Sequence, residues 1–252
     1  MQNTRIKIKK ILFLIPVYKH DVSVVIDRIN VLYPNSAILV VDDKAGLKID
    51  KDNVVVCVNA GAKGLFDTLL TGYSESIKYD FDYLVRLDAD NEYPIEQLSN
   101  MIDRMSFDTA GIVAGFSRSL KMVGLVDYLF HKVWGMMEGR LVIKKPFNQH
   151  SPSLQIYRKQ TVISFVQALK TLGGDLKIKW GLDILVPKAA LLFGDICFYT
   201  LKNDQYKERR PLRKIWSQAV ASIMVLKLIK KNERILSGEE LFDRLETIIM
   251  PD

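Results

Sequence analysis

Seven successive apolar residues, Ile11-Leu-Phe-Leu-Ile-Pro-Val17, constrain this chain more than any other feature. A continuous apolar run with no period of two suits a strand covered on both faces, as in parallel sheets whose crossovers are helices. The next hundred residues repeat the theme. Asp21 is placed to cap a helix through Leu32, with Val24, Val25, Ile29 and Leu32 at helical spacing. After Pro34 and Asn35, Ala37–Val41 reads as a second strand and Val54–Val58 as a third. A helix after Gly64 carries Leu65, Leu69, Leu70 and Tyr73, and Tyr83–Leu87 makes a fourth strand. Pro94 opens another helix, where its missing N–H costs nothing, and Ala110–Ala114 is a fifth strand. This alternation predicts an α/β, doubly wound, mostly parallel sheet with helices on both faces.

The second half is less regular. Val123–Glu138 and Lys159–Leu172 read as helices, with short strands near Leu154–Tyr157 and Ile196–Tyr199. Leu212–Lys231 reads as a helix with a basic face, and Ser237-Gly-Glu-Glu240 has the capping-box spacing that opens a last amphipathic helix. Residues 1–205 are therefore expected to form the main domain and 206–252 a basic, helical C-terminal appendage.

The chain has 252 residues, 36 Lys and Arg, and 29 Asp and Glu, a net charge of +7. Ten basic and three acidic residues between Lys202 and Arg234 account for an excess equal to that of the whole chain. So local an excess points to an anionic partner: phosphate, a membrane surface or nucleic acid. No RNA- or DNA-binding motif accompanies it, so nucleic acid is not expected. A helix lying on anionic lipid and an ordinary helix with a solvated basic face both fit Leu212–Lys231. Cys57 and Cys197 stand in apolar runs without a CxxC companion, which predicts two buried, reduced thiols and a location inside the cell. The N-terminal apolar stretch is short and lacks a small-residue cleavage site, so it reads as a strand, not a signal peptide. No apolar run reaches 18 residues, and a cytoplasmic protein, peripheral at the inner face of the membrane or soluble, is expected.

In an open parallel sheet, ligands bind beyond the carboxyl ends of the strands. Those ends carry Pro16 and Tyr18, then Asp42 and Asp43, then the loop Asn59-Ala-Gly-Ala-Lys-Gly64, then Asp88-Ala-Asp-Asn-Glu92. Up to five carboxylates on one edge repel each other unless a cation or donor groups sit among them. Asp88, Asp90 and Glu92 alternate by two, so they face one way on an extended segment and suit Mg²⁺ or Mn²⁺. A solvated acidic turn before the Pro94 helix gives the same pattern. The glycines follow the third strand and not the first, which argues against a dinucleotide fold.

Val40-Val-Asp-Asp43, Asn59-Ala-Gly-Ala-Lys-Gly64 and Tyr83-Leu-Val-Arg-Leu-Asp-Ala-Asp90 with the following Pro94 resemble a family 2 glycosyltransferase of the GT-A fold. The wording from Gly61 to Leu98 is most similar to the polyprenyl-phosphate, dolichyl-phosphate mannose synthase-like branch. Gly115-Phe-Ser-Arg118, Ser153–Arg158, Trp180-Gly-Leu-Asp183 and Tyr206–Lys214 resemble its later segments. The resemblance covers about residues 10–215 and implies a nucleotide-sugar half over about 1–115 and an acceptor half over about 116–205.

The resemblance further implies a UDP- or GDP-linked sugar donor and a lipid-phosphate or glycan acceptor. On it, Pro16, Tyr18, Asp43, Lys63 and Asp88 would bind the donor, and Asp88, Asp90 and Glu92 the metal. Arg118, Arg209 and Arg210 would hold phosphate groups of donor or acceptor, and Asp183 would be the catalytic base or position the acceptor. As a helix N-cap, Asp183 would do neither. Asn91 departs from the Asp of many soluble members, Lys44-Ala-Gly replaces a Gly-Ser run, and the Gln-x-x-Arg-Trp pattern of processive synthases is absent. The competing expectation is a non-catalytic nucleotide-sugar-binding module or scaffold on the same fold.

Overall fold

A computed structural model describes residues 9–18, 20–43, 46–59, 64–90, 93–105, 109–116, 125–137, 154–172 and 194–201, with single positions 186, 190, 216, 220, 223, 224, 227, 230 and 231. The apolar run Ile11–Val17 forms β1, and its position explains its composition. Leu12 and Leu14 point into one core and Phe13, Ile15 and Val17 into another, on opposite faces of the same strand. β1 pairs with β2 (Ala37–Asp42) on one side and with β4 (Tyr83–Arg86) on the other, both in parallel. β3 (Val54–Val58) extends the sheet beyond β2, again in parallel.

Among the described residues the sheet has seven strands in the order β3-β2-β1-β4-β6-β5-β7. β5 (Thr109–Phe116) and β7 (Asp195–Leu201) are parallel to each other, and β6 (Gln155–Arg158) runs antiparallel between β4 and β5. The mostly parallel, doubly wound sheet read from the sequence is therefore present, with one antiparallel insertion that the local pattern did not announce.

Helices α2 (Leu65–Ser76) and α5 (Lys159–Leu172) cover one face, where Phe66, Leu69 and Tyr73 meet Val162, Phe165 and Leu169. Tyr73 and Phe165 pack edge to face, with ring centroids 5.0 Å apart. The other face is covered by α1 (Ser23–Leu32), through Val25, Ile26 and Ile29, and by α3 (Leu98–Asp103), through Leu98, Met101 and Ile102. Asp21 does hold the start of α1, its carboxylate accepting the Ser23 N–H at 2.8 Å. Pro94 opens not α3 but a tight turn over Ile95–Gln97, in which the Gln97 N–H donates to the Pro94 carbonyl at 3.0 Å; α3 follows. α4 (Leu125–Met137) lies within the Val123–Glu138 helix expected from the sequence. The described positions from Trp216 to Lys231 are helical, and the rest of the C-terminal region lies outside the described residues.

One expectation fails. Neither cysteine is buried: Cys57 is partly covered and Cys197 is exposed. Both stand on the outermost strands, β3 and β7, whose outer edges no described strand covers.

Candidate functional site

The sheet reverses its build order at β1. From β1 the chain lays down β2 and β3 on one side, then returns to place β4 on the other. In such sheets the crevice for a ligand opens at this switch point, beyond the carboxyl ends of the strands. Local chemistry opens it here. The Leu14 carbonyl accepts the Leu87 N–H at 3.2 Å, so Leu14, and by alternation Pro16, turn their backbone groups toward β4. Pro16 has no N–H to give, and the β1–β4 ladder ends at Leu14↔Arg86. The β1–β2 ladder runs on to Val17↔Asp42. The chain after Leu87 is thereby released from β1 where Asp88 and Asp90 follow.

Carboxylates stand on both sides of that opening. On the β2 side, the Asp43 N–H donates to the Val17 carbonyl at 3.3 Å, which ties Asp43 to the end of β1; its side chain is buried. Asp42, beside it, is committed to the fold: its Oδ2 accepts the N–H groups of Gly46 and Leu47 at 2.9 and 2.8 Å. On the β4 side, Asp88 is partly exposed and Asp90 exposed, with Ala89 buried between them. Tyr18, just past β1, is half exposed. Thus Pro16, Tyr18, Asp43, Asp88 and Asp90, read from the sequence as site residues, all lie at one edge of the sheet. Lys63, Glu92, Arg118, Asp183, Arg209 and Arg210 lie outside the described residues.

Three residues that the sequence reading did not single out for a role organise this edge. Arg86, on β4, is fully buried, and its Nη2 donates to Asp88 Oδ1 at 2.9 Å. It supplies a positive charge to an edge crowded with negative ones. Its ladder partner Gln155, on β6, is also fully buried and accepts from the Tyr73 hydroxyl at 3.1 Å. Asn59 closes β3 onto α2, donating through Nδ2 to the Asp67 carbonyl at 3.3 Å and to Thr71 Oγ1 at 2.9 Å. A charged residue inside the apolar run Tyr83–Leu87 was the available signal for Arg86, because arginine is almost never fully buried unless paired.

The glycine-rich loop ends in a backbone that needs glycine. Gly64 has φ 135°, a conformation closed to residues with a Cβ, and its carbonyl accepts the Thr68 N–H at 3.2 Å to start α2.

The donor set suits a hard divalent cation. Asp88 and Asp90 are carboxylates two residues apart at a strand end, and Asp88 Oδ2 makes no hydrogen bond to the described residues. Mg²⁺ is usually held by one or two carboxylates together with substrate phosphates, so this pair meets its need. Among the described residues no three His, Cys, Asp or Glu side chains converge to form a self-sufficient metal cage.

No family profile matches this chain, and no curated protein matches it in sequence. Its fold does find likenesses among solved structures. The bifunctional IspDF of Campylobacter jejuni superimposes with a TM-score of 0.48 and 11% identity, over 76% of this chain and 50% of its own. This chain thus spans half the length of that protein. The 4-diphosphocytidyl-2C-methyl-D-erythritol synthase of Anaerococcus prevotii gives a TM-score of 0.49 and 11% identity, over 86% and 98%. A mannose-1-phosphate geranyltransferase of Thermus thermophilus gives 0.43 and 11%, over 84% and 80%. With TM-scores under 0.5 these likenesses carry no weight for activity, and the fold rests on the strand order and register given above.

Proposed function

We propose that this chain is a metal-dependent, inverting glycosyltransferase that moves a sugar from a nucleoside-diphosphate donor to a lipid-phosphate or glycan acceptor. One observation carries the reading: Asp43 and the Asp88–Asp90 pair flank the end of β1 where Pro16 stops its ladder with β4. Asp43 accepts from an N–H of the base, with Pro16 and Tyr18 beside it. A hydrogen bond to a charged acceptor contributes about 1.5–3 kcal/mol, enough to favour one base over another. Lys63 reaches a donor phosphate. Asp88, Asp90 and Glu92 would hold Mg²⁺ or Mn²⁺, and the bound ion would supply neutralisation of charge on the departing diphosphate.

The acceptor oxygen attacks the anomeric carbon as the carbon–oxygen bond to the diphosphate breaks. Arg118, Arg209 and Arg210 steady phosphate groups through forked donors. Asp183 takes the proton when the acceptor is a hydroxyl. A lipid phosphate, with a second pKa of about 6, needs no such base, and Asp183 then only positions the acceptor.

An anionic bilayer surface fits as the place where the acceptor is met. Trp216, Val220, Ile223 and Met224 are exposed at helical spacing, and exposed Lys227, Lys230 and Lys231 continue on the same face. No helix of the described residues is long and apolar enough to cross a membrane, so this contact would be peripheral.

The test is a thermal-shift panel of UDP, GDP and other nucleoside diphosphates, with and without Mn²⁺, on the wild type and on Asp90→Asn. A ligand at 100 times its Kd stabilises by about 2.7 kcal/mol. A metal-dependent shift for one base, lost in Asp90→Asn, is expected. No shift with any nucleotide would overturn the reading.

A further inference from the structure

We propose that Arg86 is the positioning residue of this site, fixing Asp88 as a one-oxygen ligand aimed at the strand edge. The inference rests on the donor-binding reading above and adds a residue to it.

The geometry is unusual for an arginine. Arg86 is the last residue of β4, on the same face of that strand as Leu84, which packs in the α2–α5 core. Its guanidinium is wholly removed from solvent, whereas the Asp88 side chain it holds keeps 30% of its exposure. The pair is thus anchored at the buried end and open at the other. Two residues apart on a chain leaving the strand, the side chains meet without a loop between them, so the contact is fixed by the backbone that ends β4. Nη2 occupies Oδ1 at 2.9 Å and leaves Oδ2 without a partner among the described residues. A carboxylate clamped in this way keeps a single orientation and presents one oxygen.

Arg86 has support of its own. Gln155 stands opposite it in the β4–β6 ladder, and the Tyr73 hydroxyl fixes the Gln155 side chain from α2. Tyr73 is locked in turn against Phe165. The chain of contacts runs from the core between α2 and α5 to the ladder position beside Arg86, so the helix packing that stabilises the fold also braces the β4 end. Groups that orient a ligating carboxylate matter nearly as much as the ligand itself, and their loss typically weakens metal affinity about 10–100-fold.

Arg86→Lys keeps the charge but replaces the fork with a point donor on a flexible stem. Mn²⁺ binding in the presence of UDP or GDP, followed by titration calorimetry and Mn²⁺ electron paramagnetic resonance, should weaken about 10–100-fold in Arg86→Lys. Nucleotide binding without metal should fall far less than Mn²⁺ binding does. Adding Asp88→Asn to Arg86→Lys should cost little more, because the ligand is already released. Circular dichroism and thermal unfolding separate this from a folding defect. If Arg86→Lys does not fold, Arg86→Gln, which retains a donor without the charge, is read in its place.

A variant that only lowers the melting temperature, leaving metal affinity at the wild-type level, would overturn the role of Arg86 while leaving the donor-binding reading standing. A wild type that binds no nucleotide with Mn²⁺ would remove both.

Discussion

The Asp42 carboxylate accepts the Leu47 backbone N–H at 2.8 Å, so of two adjacent aspartates at the end of β2 one is spent on the fold. The same oxygen accepts the Gly46 N–H at 2.9 Å, and the two bonds pin the turn that leaves β2. Asp43, its neighbour, is the residue of the pair assigned to the donor in the proposed function. Asp42 is buried, and each hydrogen bond to a charged acceptor is worth about 1.5–3 kcal/mol. Asp42→Ala is expected to lower stability by about 3 kcal/mol, seen as a drop in the urea midpoint at constant slope. Asp42→Asn, which keeps a carbonyl acceptor, should lose less than half of that. Equal losses in the two variants would mean that the charge, and not the two bonds, holds the turn.

Gly72 sets how closely α2 approaches the sheet. A Cβ there would stand 2.6 Å from Leu14 Cδ1 and 2.9 Å from Val41 Cγ2, closer than packed carbons come. Alanine favours a helix interior over glycine by about 1 kcal/mol. Overpacking a filled core costs typically about 1–3 kcal/mol. The second effect should win, so Gly72→Ala is predicted to destabilise by about 1 kcal/mol in chemical denaturation. A gain in stability would mean that α2 shifts away from β1 at no cost.

Arg28 on α1 reaches Glu96 in the turn before α3, with Nη2 at 2.6 Å from Oε1 and 2.9 Å from Oε2. The hydrogen bond from Arg28 holds the Glu96 carboxyl below its ordinary value of 4.5. A carboxyl whose pKa is depressed on folding stabilises the protein above its unfolded pKa, and that contribution disappears as pH falls through the folded value. Glu96 keeps 54% of its side-chain exposure, so solvent screening limits the contribution to about 0.2–1 kcal/mol. Urea unfolding at pH 7 and at pH 3 should show Glu96→Gln less stable than wild type at the higher pH. The gap should close at the lower one. A gap that persists at pH 3 would assign the loss to packing.

What the sequence revealed follows from what is local. Ile11–Val17 is covered on both faces, and that burial writes an unbroken apolar run into the chain itself. That Asp43, Asp88 and Asp90 gather at one edge of the sheet was legible because each follows an apolar strand, and position after a strand is a local fact. The antiparallel direction of β6 was not, since Gln155–Arg158 has the same pattern whichever way it runs, and its neighbours lie far away in sequence. Cys57 and Cys197 were misjudged for a related reason. An apolar run marks a strand, but whether that strand is central or at an edge is a property of the whole sheet, and both are at edges. Arg86 stood in plain view, yet its meaning depends on burial and on the direction of its side chain toward Asp88. A one-dimensional reading carries neither.

The C-terminal helix gives the last prediction. The described residues expose Trp216, Val220, Ile223 and Met224 at helical spacing. Lys227, Lys230 and Lys231 are exposed further along that face, so apolar and basic groups share one side of the helix. On an anionic bilayer the apolar groups would enter the headgroup boundary while the lysines stay at the surface, each contributing about 1 kcal/mol. The full chain should therefore co-sediment with vesicles containing phosphatidylserine and not with neutral phosphatidylcholine vesicles. Raising the salt from about 0.1 M to 1 M shortens the screening length from about 10 Å to 3 Å and should release much of the bound protein. Trp216→Ala should weaken binding at both salt concentrations, because it removes apolar burial and no charge. Charge reversal at Lys230 and Lys231 should abolish the preference for anionic lipid. Sedimentation indifferent to lipid charge and to salt would leave this face to some other partner.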